Sequence, residues 1–288
     1  MDYQSAYKAW RENPALNDEG KKELASIEGD AEGIEYRFGA ELEFGTAGMR
    51  GIIGYGTNMM NVYTVRRATQ GLAEYVKSLG GQAMKRGVVI SYDPRRKSAE
   101  FARASAEVLA ANGIVAYLFD EVHPVPMLSY AVRRLGTVAG IMITASHNPK
   151  EYNGYKVYGE DGAQMSPEAT DVVVGFIEKI TDYFSVKGVN DGRFIKRVPS
   201  SVDKSYYKKL KKLTLSPEAV KKAGKNLKLV YTPVHGSGYI PVTTILKKLK
   251  INVTVVSEQA KKEIAEADKY WKGKTTSEPV SYTHLRAH

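Results

Sequence analysis

Between residues 87 and 144 the chain keeps one rhythm: a short apolar run, an amphipathic run of helical length, then another apolar run. "GVVISYD" (87–93), "IVAYLFD" (114–120) and "VAGIMIT" (138–144) are apolar segments of strand length. Between them, "SAEFARASAEVLAANG" (98–113) and "PMLSYAVRRLG" (126–136) carry apolar residues at helical spacing. Strands that are apolar on both faces need helices above and below them. The alternation therefore predicts an α/β fold: a layered, mixed, mainly parallel sheet flanked by helices.

The flanking segments fit around that unit. Residues 3–28 read as helices with a break at "NPALNDEG", and the Gly-dense stretch 44–60 reads as a strand and loop. Residues 62–80 form a helix stopped by Gly80. Ser98 is expected to cap the 98–113 helix, and Ser166 with Pro167 opens a helix over 166–184. A connector, 185–201, leads to "DKSYYKKLKKL" and "SPEAVKKAG" as helices, "LKLVYTP" as a strand, then a loop, a helix and the strand "INVTVV". The expected organisation is a first domain over 1–203 and an incomplete second α/β domain over 204–288. Residues from about 260 onward, closing in "VSYTHLRAH", lack alternation and capping signals and are expected to be non-native, out of frame or foreign.

Composition excludes some classes. No apolar run approaches the roughly 18 residues that span a bilayer, so no membrane partner is expected. There is no cysteine, which removes disulfides and thiolate metal sites and fits a reducing compartment, with cytoplasm as the expected location. The net charge of +10 is uneven: residues 204–288 hold 18 Lys/Arg against 6 Asp/Glu. Arginine clusters and interleaved aromatics are missing there, so nucleic acid is not the expected partner and the lysines read as solvated helix faces.

The chemistry concentrates in "GIMITASHNPKEYNGYKVYGEDG" (140–162), where an apolar strand turns polar at Thr144. A polar loop at the end of a buried strand is where α/β proteins place ligands. Within a dozen residues it supplies Thr144, Ser146, His147, Asn148 and Lys156. Asn148-Pro149 forces a turn, and Asn153-Gly154 reads as a second turn that returns Lys156 to the loop. "TASHN" lacks the glycines of a nucleophile elbow, and no segment fits a phosphate P-loop.

This stretch strongly resembles the phosphoserine loop, T-[AG]-S-H-N-P, of the α-D-phosphohexomutase superfamily. "FGTAGMRG" (44–51) resembles that family's amino-terminal substrate loop, "YDPRRKSAEFA" a strand–helix step, and "YTPVHGSGY" (231–239) the start of its second domain. The resemblance covers roughly residues 3–259, with the flavour of the longer phosphoglucomutase/phosphomannomutase branch. His123 and Val125 depart from it, standing where the family often carries arginine and threonine.

The resemblance implies that Ser146 carries a phosphoryl group and exchanges it with a hexose monophosphate through a bisphosphorylated sugar. A hexose 1,6-bisphosphate would serve as activator. His147, Lys156 and Arg50 take catalytic positions, and Thr144, Asn148 and Arg95 are expected at the substrate. The reaction implied is interconversion of hexose 1- and 6-phosphates, glucose first, with phosphomannomutase and phosphopentomutase as alternatives. The family binds Mg2+ through the phosphoserine, here Ser146, and a D-x-D-x-D-R loop. No D-x-D-x-D occurs in this chain, and Glu263, Glu266 and Asp268 sit at helical spacing instead. Family domains three and four are absent by length, so the chain is expected to be truncated and inactive as a mutase. A reading of another class is a non-catalytic basic fragment that binds polyanions or a partner through 204–274. Oligomeric state is unreadable from the sequence.

Overall fold

A computed structural model describes residues 2–46, 48–224 and 226–260 of the chain. It opens with three helices, α1 (Tyr3–Arg11), α2 (Asp18–Ser26) and α3 (Ala31–Phe38), followed by strand β1 (Gly48–Ile52) and the long helix α4 (Val62–Ser78). Then come α5 (Gly81–Arg86), β2 (Val88–Tyr92), α6 (Ser98–Ala111), β3 (Ala116–Leu118), α7 (Val125–Leu135), β4 (Ala139–Ile143) and β5 (Tyr152–Gly159). The chain continues through α8 (Pro167–Glu178), β6 (Ile195–Arg197), α9 (Ser200–Lys212), α10 (Pro217–Ala223), β7 (Leu229–Tyr231), α11 (Tyr239–Lys248) and β8 (Val253–Val255).

Six strands form one sheet in the order β1-β5-β4-β2-β3-β6. The β4–β2, β2–β3 and β3–β6 pairs are parallel, and β5 runs antiparallel to both β4 and β1. This is the anticipated mixed, mainly parallel α/β sheet. Side chains alternate across it as strand geometry requires. Val88, Ile90, Ala139, Ile141 and Ile143 join α4, α6 and α8 in one core, while Val89 and Met142 face α7 and Val202 of α9 in another. A third, aromatic core gathers Tyr7, Trp10 and Phe38 of α1 and α3 with Tyr63 and Tyr183, the Trp10 and Phe38 rings meeting edge-on at 5.8 Å. Downstream, β7 and β8 make a separate two-stranded parallel sheet with α11 as the crossover. No helix among the described residues is long and apolar enough to cross a membrane.

Some expectations change. Asn153-Gly154 is not a turn; it lies inside β5, opposite Gly51 and Arg50 of β1. Ser98 does not cap α6: Lys97 occupies the cap position with φ 64°, and the Ser98 hydroxyl donates to Asp93. Helices α3 and α5 and strand β6 have no strong periodic signal and form where neighbours receive them: β6 is three residues long and exists as an edge on β3. Position 203/204, expected to divide two domains, falls inside the continuous helix α9. Glu263, Glu266, Asp268 and the tail expected to be non-native lie outside the described residues.

Candidate functional site

Strand β4 is buried at all five positions and delivers Thr144 to the carboxyl end of the sheet, where the chain must leave the interior. It does so through a turn at 145–148 closed by Asn148 N–H donating to the Ala145 carbonyl at 3.1 Å. Ser146, at the second position of that turn, has φ 57°, whereas His147 does not share a positive φ. This is the pattern of a II′ turn, whose second position glycine normally fills. A non-glycine residue there costs on the order of 1–3 kcal/mol and persists only when its surroundings over-determine it. The result is an exposed serine hydroxyl whose Oγ lies 3.4 Å from His147 Nδ1, a long but workable contact.

The surroundings that fix the turn lie beneath it. Asp93, just past β2, accepts from the Thr144 hydroxyl (2.6 Å), the Ser98 hydroxyl (2.9 Å) and the Arg95 N–H (3.0 Å). The Thr144 hydroxyl oxygen in turn accepts from the Ser146 N–H at 3.0 Å. Arg95 is buried and pairs through Nε with Asp93 at 3.3 Å. Its NH1 donates to the carbonyls of Pro149 (2.9 Å) and Tyr152 (3.1 Å), and its NH2 to those of Ser146 (3.0 Å) and Asn148 (2.7 Å). Burial pushes the Asp93 carboxyl up against the pull of these donors, and burial pulls the Arg95 guanidinium down against the pull of Asp93.

Across the sheet, Arg50 on β1 stands opposite Gly154 on β5, and cross-strand partners share a face. Lys156, two residues further along β5, shares that face as well. Gly154 is the residue that lets this happen. A Cβ there would sit 2.6 Å from the Thr144 carbonyl oxygen and 3.0 Å from that of Met49. Arg50 is exposed, and Lys156 is half-buried. Burial, and then the like charge of Arg50, lower the Lys156 ammonium below its usual value, while Asp93 acts the other way. On the opposite face, Asn153 is fully buried and ties β5 to the start of α6 by donating to the Arg96 carbonyl and the Ser98 hydroxyl, both at 2.9 Å.

The fold thus brings Ser146 and His147 together at the turn, with Arg50 and Lys156 on neighbouring strands. Two residues expected at the substrate are engaged by the protein itself. Arg95 and Thr144 lie below the loop with their donors engaged by protein atoms, so they shape the loop from inside. Asn148 turns its Oδ1 inward, where it is buried without a hydrogen-bond partner. The sequence did not mark Asp93, Ser98 or Asn153 as supports of the serine loop. The signal for Asp93 was present: a carboxylate at the exit of a wholly apolar strand, two residues before an arginine. Among the described residues no group of three or more His, Cys, Asp or Glu could hold a metal ion. Arg50 and Lys156 on the neighbouring strands are cations, and Asp93, which orients Thr144 beneath the turn, is already engaged. The described residues do not by themselves fit magnesium.

Known proteins bear on this arrangement. Residues 41–184 match the family model described as phosphoglucomutase/phosphomannomutase, alpha/beta/alpha domain I. A phosphoglucomutase of Staphylococcus aureus strain bovine RF122 / ET3-1 is 42% identical over 226 residues, covering 76% of this chain and 39% of that protein. Its counterpart in strain MRSA252 is 42% identical over 225 residues. The chain therefore spans about two fifths of the length of these curated relatives. Among solved structures, a provisionally assigned phosphomannomutase from Thermus thermophilus superposes with a TM-score of 0.64 at 26% identity, covering 79% of this chain and 48% of that one. A phosphoglucomutase/phosphomannomutase family protein from Burkholderia thailandensis shares the fold, with a TM-score of 0.53 at 21% identity, over 74% of this chain and 43% of its own. The described turn, the sheet that carries it and these likenesses agree: the chain belongs to the phosphoglucomutase/phosphomannomutase family of the α-D-phosphohexomutase superfamily.

Proposed function

We propose that Ser146 is the phosphoryl-carrying residue of a hexose-phosphate mutase site, most directly one acting on glucose 1- and 6-phosphates. The observation that carries the reading is the strained turn. A serine held at φ 57° on the tip of a loop, its Oγ exposed beside an imidazole and its backbone braced from below, is built to present that oxygen. The Staphylococcus aureus relatives are named phosphoglucomutases, which favours glucose over mannose.

The chemistry follows from the residues. A phosphoryl group in transfer spreads negative charge over three oxygens, so catalysis rests on positioning and on cations. Ser146 Oγ attacks the phosphorus of a hexose bisphosphate. The O–P bond to the sugar breaks as the O–P bond to Ser146 forms, and the serine proton passes to His147 Nδ1. Arg50 and Lys156 offer positive charge on one face of the sheet, and the lowered affinity of Lys156 for its proton suits it to return a proton to the sugar oxygen that leaves. The phosphorylated Ser146 then donates its phosphoryl to the free hydroxyl of a hexose monophosphate, the O–P bond to the serine breaking as the bond to the sugar forms, and takes back the phosphoryl from the other position of the resulting bisphosphate.

The test is intact-mass analysis of the 288-residue chain after incubation with glucose 1,6-bisphosphate. One added phosphoryl group, localised to Ser146 and absent in Ser146→Ala, is the expected result; an unlabelled wild-type chain overturns the reading. Because the 288 residues contain no D-x-D-x-D loop, sustained interconversion of glucose 1- and 6-phosphate by this chain alone is expected to be undetectable in a coupled assay. Robust turnover would contradict that part.

A further inference from the structure

The phosphoserine reading gives Arg95 no contact with substrate, yet it is the most heavily bonded side chain of the site. A guanidinium has five N–H groups in a fixed plane, and here the partners are the Asp93 carboxylate, the loop carbonyls of Ser146, Asn148 and Pro149, and the carbonyl of Tyr152 at the start of β5. The convergence of four carbonyl oxygens, three from the loop and one from the first residue of β5, on one buried cation is not a by-product of turn formation. The turn itself is closed by the separate bond from Asn148 N–H to the Ala145 carbonyl.

The consequence lies on the other side of the peptide plane. None of the described peptide bonds is cis, and in a planar trans peptide the carbonyl and the following N–H point in opposite directions. With the Ser146 carbonyl drawn inward to Arg95 NH2, the N–H of His147 points away from Arg95, toward the exposed side of the loop. The neighbouring Ser146 N–H is taken up by the Thr144 hydroxyl, which Asp93 orients. The outward amide next to the nucleophile is therefore that of His147.

We propose that Arg95, anchored by Asp93, is a positioning residue that holds the loop carbonyls on the inner side so that the His147 backbone N–H faces outward beside Ser146 Oγ, as a donor to an oxygen of the phosphoryl group carried by that serine. This rests on the reading of Ser146 as the phosphoryl carrier. Preorganised amides aimed at developing phosphate charge need no reorganisation when the group arrives. A lysine at 95 keeps the charge but replaces the planar fork with one ammonium, which cannot span the carboxylate and all four carbonyls.

The experiment follows the His147 amide by NMR in the 15N-labelled 288-residue chain at fixed pH, with inorganic phosphate as the probe, in wild type and Arg95→Lys. The expected result is a saturable shift of the His147 amide in wild type, reduced at least five-fold in Arg95→Lys, while amides distant from 144–154 keep their positions. In parallel, the maximal rate of Ser146 labelling by glucose 1,6-bisphosphate should fall at least ten-fold in Arg95→Lys, with the half-saturating concentration changed less than three-fold. A merely structural brace would leave the His147 amide indifferent to phosphate. A wild-type amide that does not respond, or an Arg95→Lys chain that responds like wild type, overturns the inference. If Arg95→Lys does not fold, the wild-type titration still decides whether the amide faces the anion, and Arg95→Gln takes its place in the comparison. The two readings separate cleanly. A responding amide with an unlabelled Ser146 overturns the phosphoryl-carrier reading, and with it the donor role, while leaving the outward-facing amide; a labelled Ser146 with a silent amide overturns this inference alone.

Discussion

Thr144 shows how much of the site is decided by single polar atoms. Its hydroxyl donates to Asp93 and accepts from the Ser146 N–H, so one oxygen links the buried carboxylate to the strained serine. Valine has the same shape and neither bond. Thr144→Val is expected to lower the unfolding free energy by about 1–3 kcal/mol, the cost of leaving buried polar groups unpaired, and to slow Ser146 labelling. Thr144→Ser, which keeps both bonds, should stay closer to wild type; urea titrations that rank the two variants the other way would contradict the strut. Lys156 carries a second residue-scale prediction. Burial and Arg50 depress its proton affinity, so its ammonium is lost at a pH lower than for a free lysine. If that proton serves the leaving oxygen, the labelling rate declines on an alkaline limb below pH 10.5, the ordinary lysine value. Lys156→Arg should move the limb upward. So should Arg50→Gln, which removes the like charge. A limb unmoved by both would take the proton from some other group.

At the scale of elements, β5 is the strand on which the site depends, because β1 and β4 grip it from both sides and bring Arg50, Lys156 and the serine turn to one end of the sheet. Gly154 sits at the crowded point of that grip. In Gly154→Ala the new methyl meets two backbone oxygens, Thr144 at 2.6 Å and Met49 at 3.0 Å, and neither can swing away as a side chain would. The expected destabilisation is about 1–3 kcal/mol, read as a lower urea midpoint, together with a weaker hold on the 145–148 turn. A variant as stable as wild type would mean the sheet breathes there. The same residue marks where the sequence could and could not be read. The strand–helix alternation was legible because β2 and β4 are apolar on both faces, and the serine turn was legible because polar residues abruptly follow such a strand. Asn153-Gly154 was read as a turn because that dipeptide has turn chemistry. In the folded chain the amide of Asn153 is satisfied by Ser98 and the Arg96 carbonyl, and the missing Cβ of Gly154 admits its neighbours. The bracing role of Arg95 was hidden for a similar reason: an arginine near such a loop reads as an anion ligand, and only the fold reveals four carbonyls converging on it. Helix α3 and strand β6 depend on partners distant in sequence, which no local pattern encodes.

At the scale of the whole molecule, the six-stranded unit is joined to the β7–β8 unit through α9, which packs on α7 on one side and on α11 on the other. Tyr130 of α7 donates to the Ser205 hydroxyl at 3.0 Å and meets the Tyr206 ring edge-on at 5.4 Å. The polar clasp in this seam is His123, in the loop before α7 and 6% exposed, whose Nε2 lies 3.3 Å from Asp203 on the first turn of α9. Its Nδ1 contacts the Glu121 carbonyl at 2.7 Å, and its ring stacks on Phe119. Burial works against the imidazolium, but the Asp203 hydrogen bond, the Glu121 carbonyl and the charges of Asp203 and Asp120 outweigh it, so the imidazole is held above its ordinary 6.5. A histidine raised on folding stabilises fully below its unfolded value, and that contribution fades as pH climbs through the higher folded one. The clasp should therefore be closed in mildly acidic solution and loosened in alkaline solution. His123→Gln removes the titrating group while keeping a polar side chain. The unfolding temperature of wild type should exceed that of the variant by more at about pH 5.5 than at about pH 8.5, points that bracket the imidazole titration. The protection of α9 amides, their exchange taken relative to the intrinsic rate at each pH, should fall in wild type over the same interval and stay level in His123→Gln. A stability difference that grows with rising pH would reverse the sign of the clasp and remove His123 from the joint between the two units.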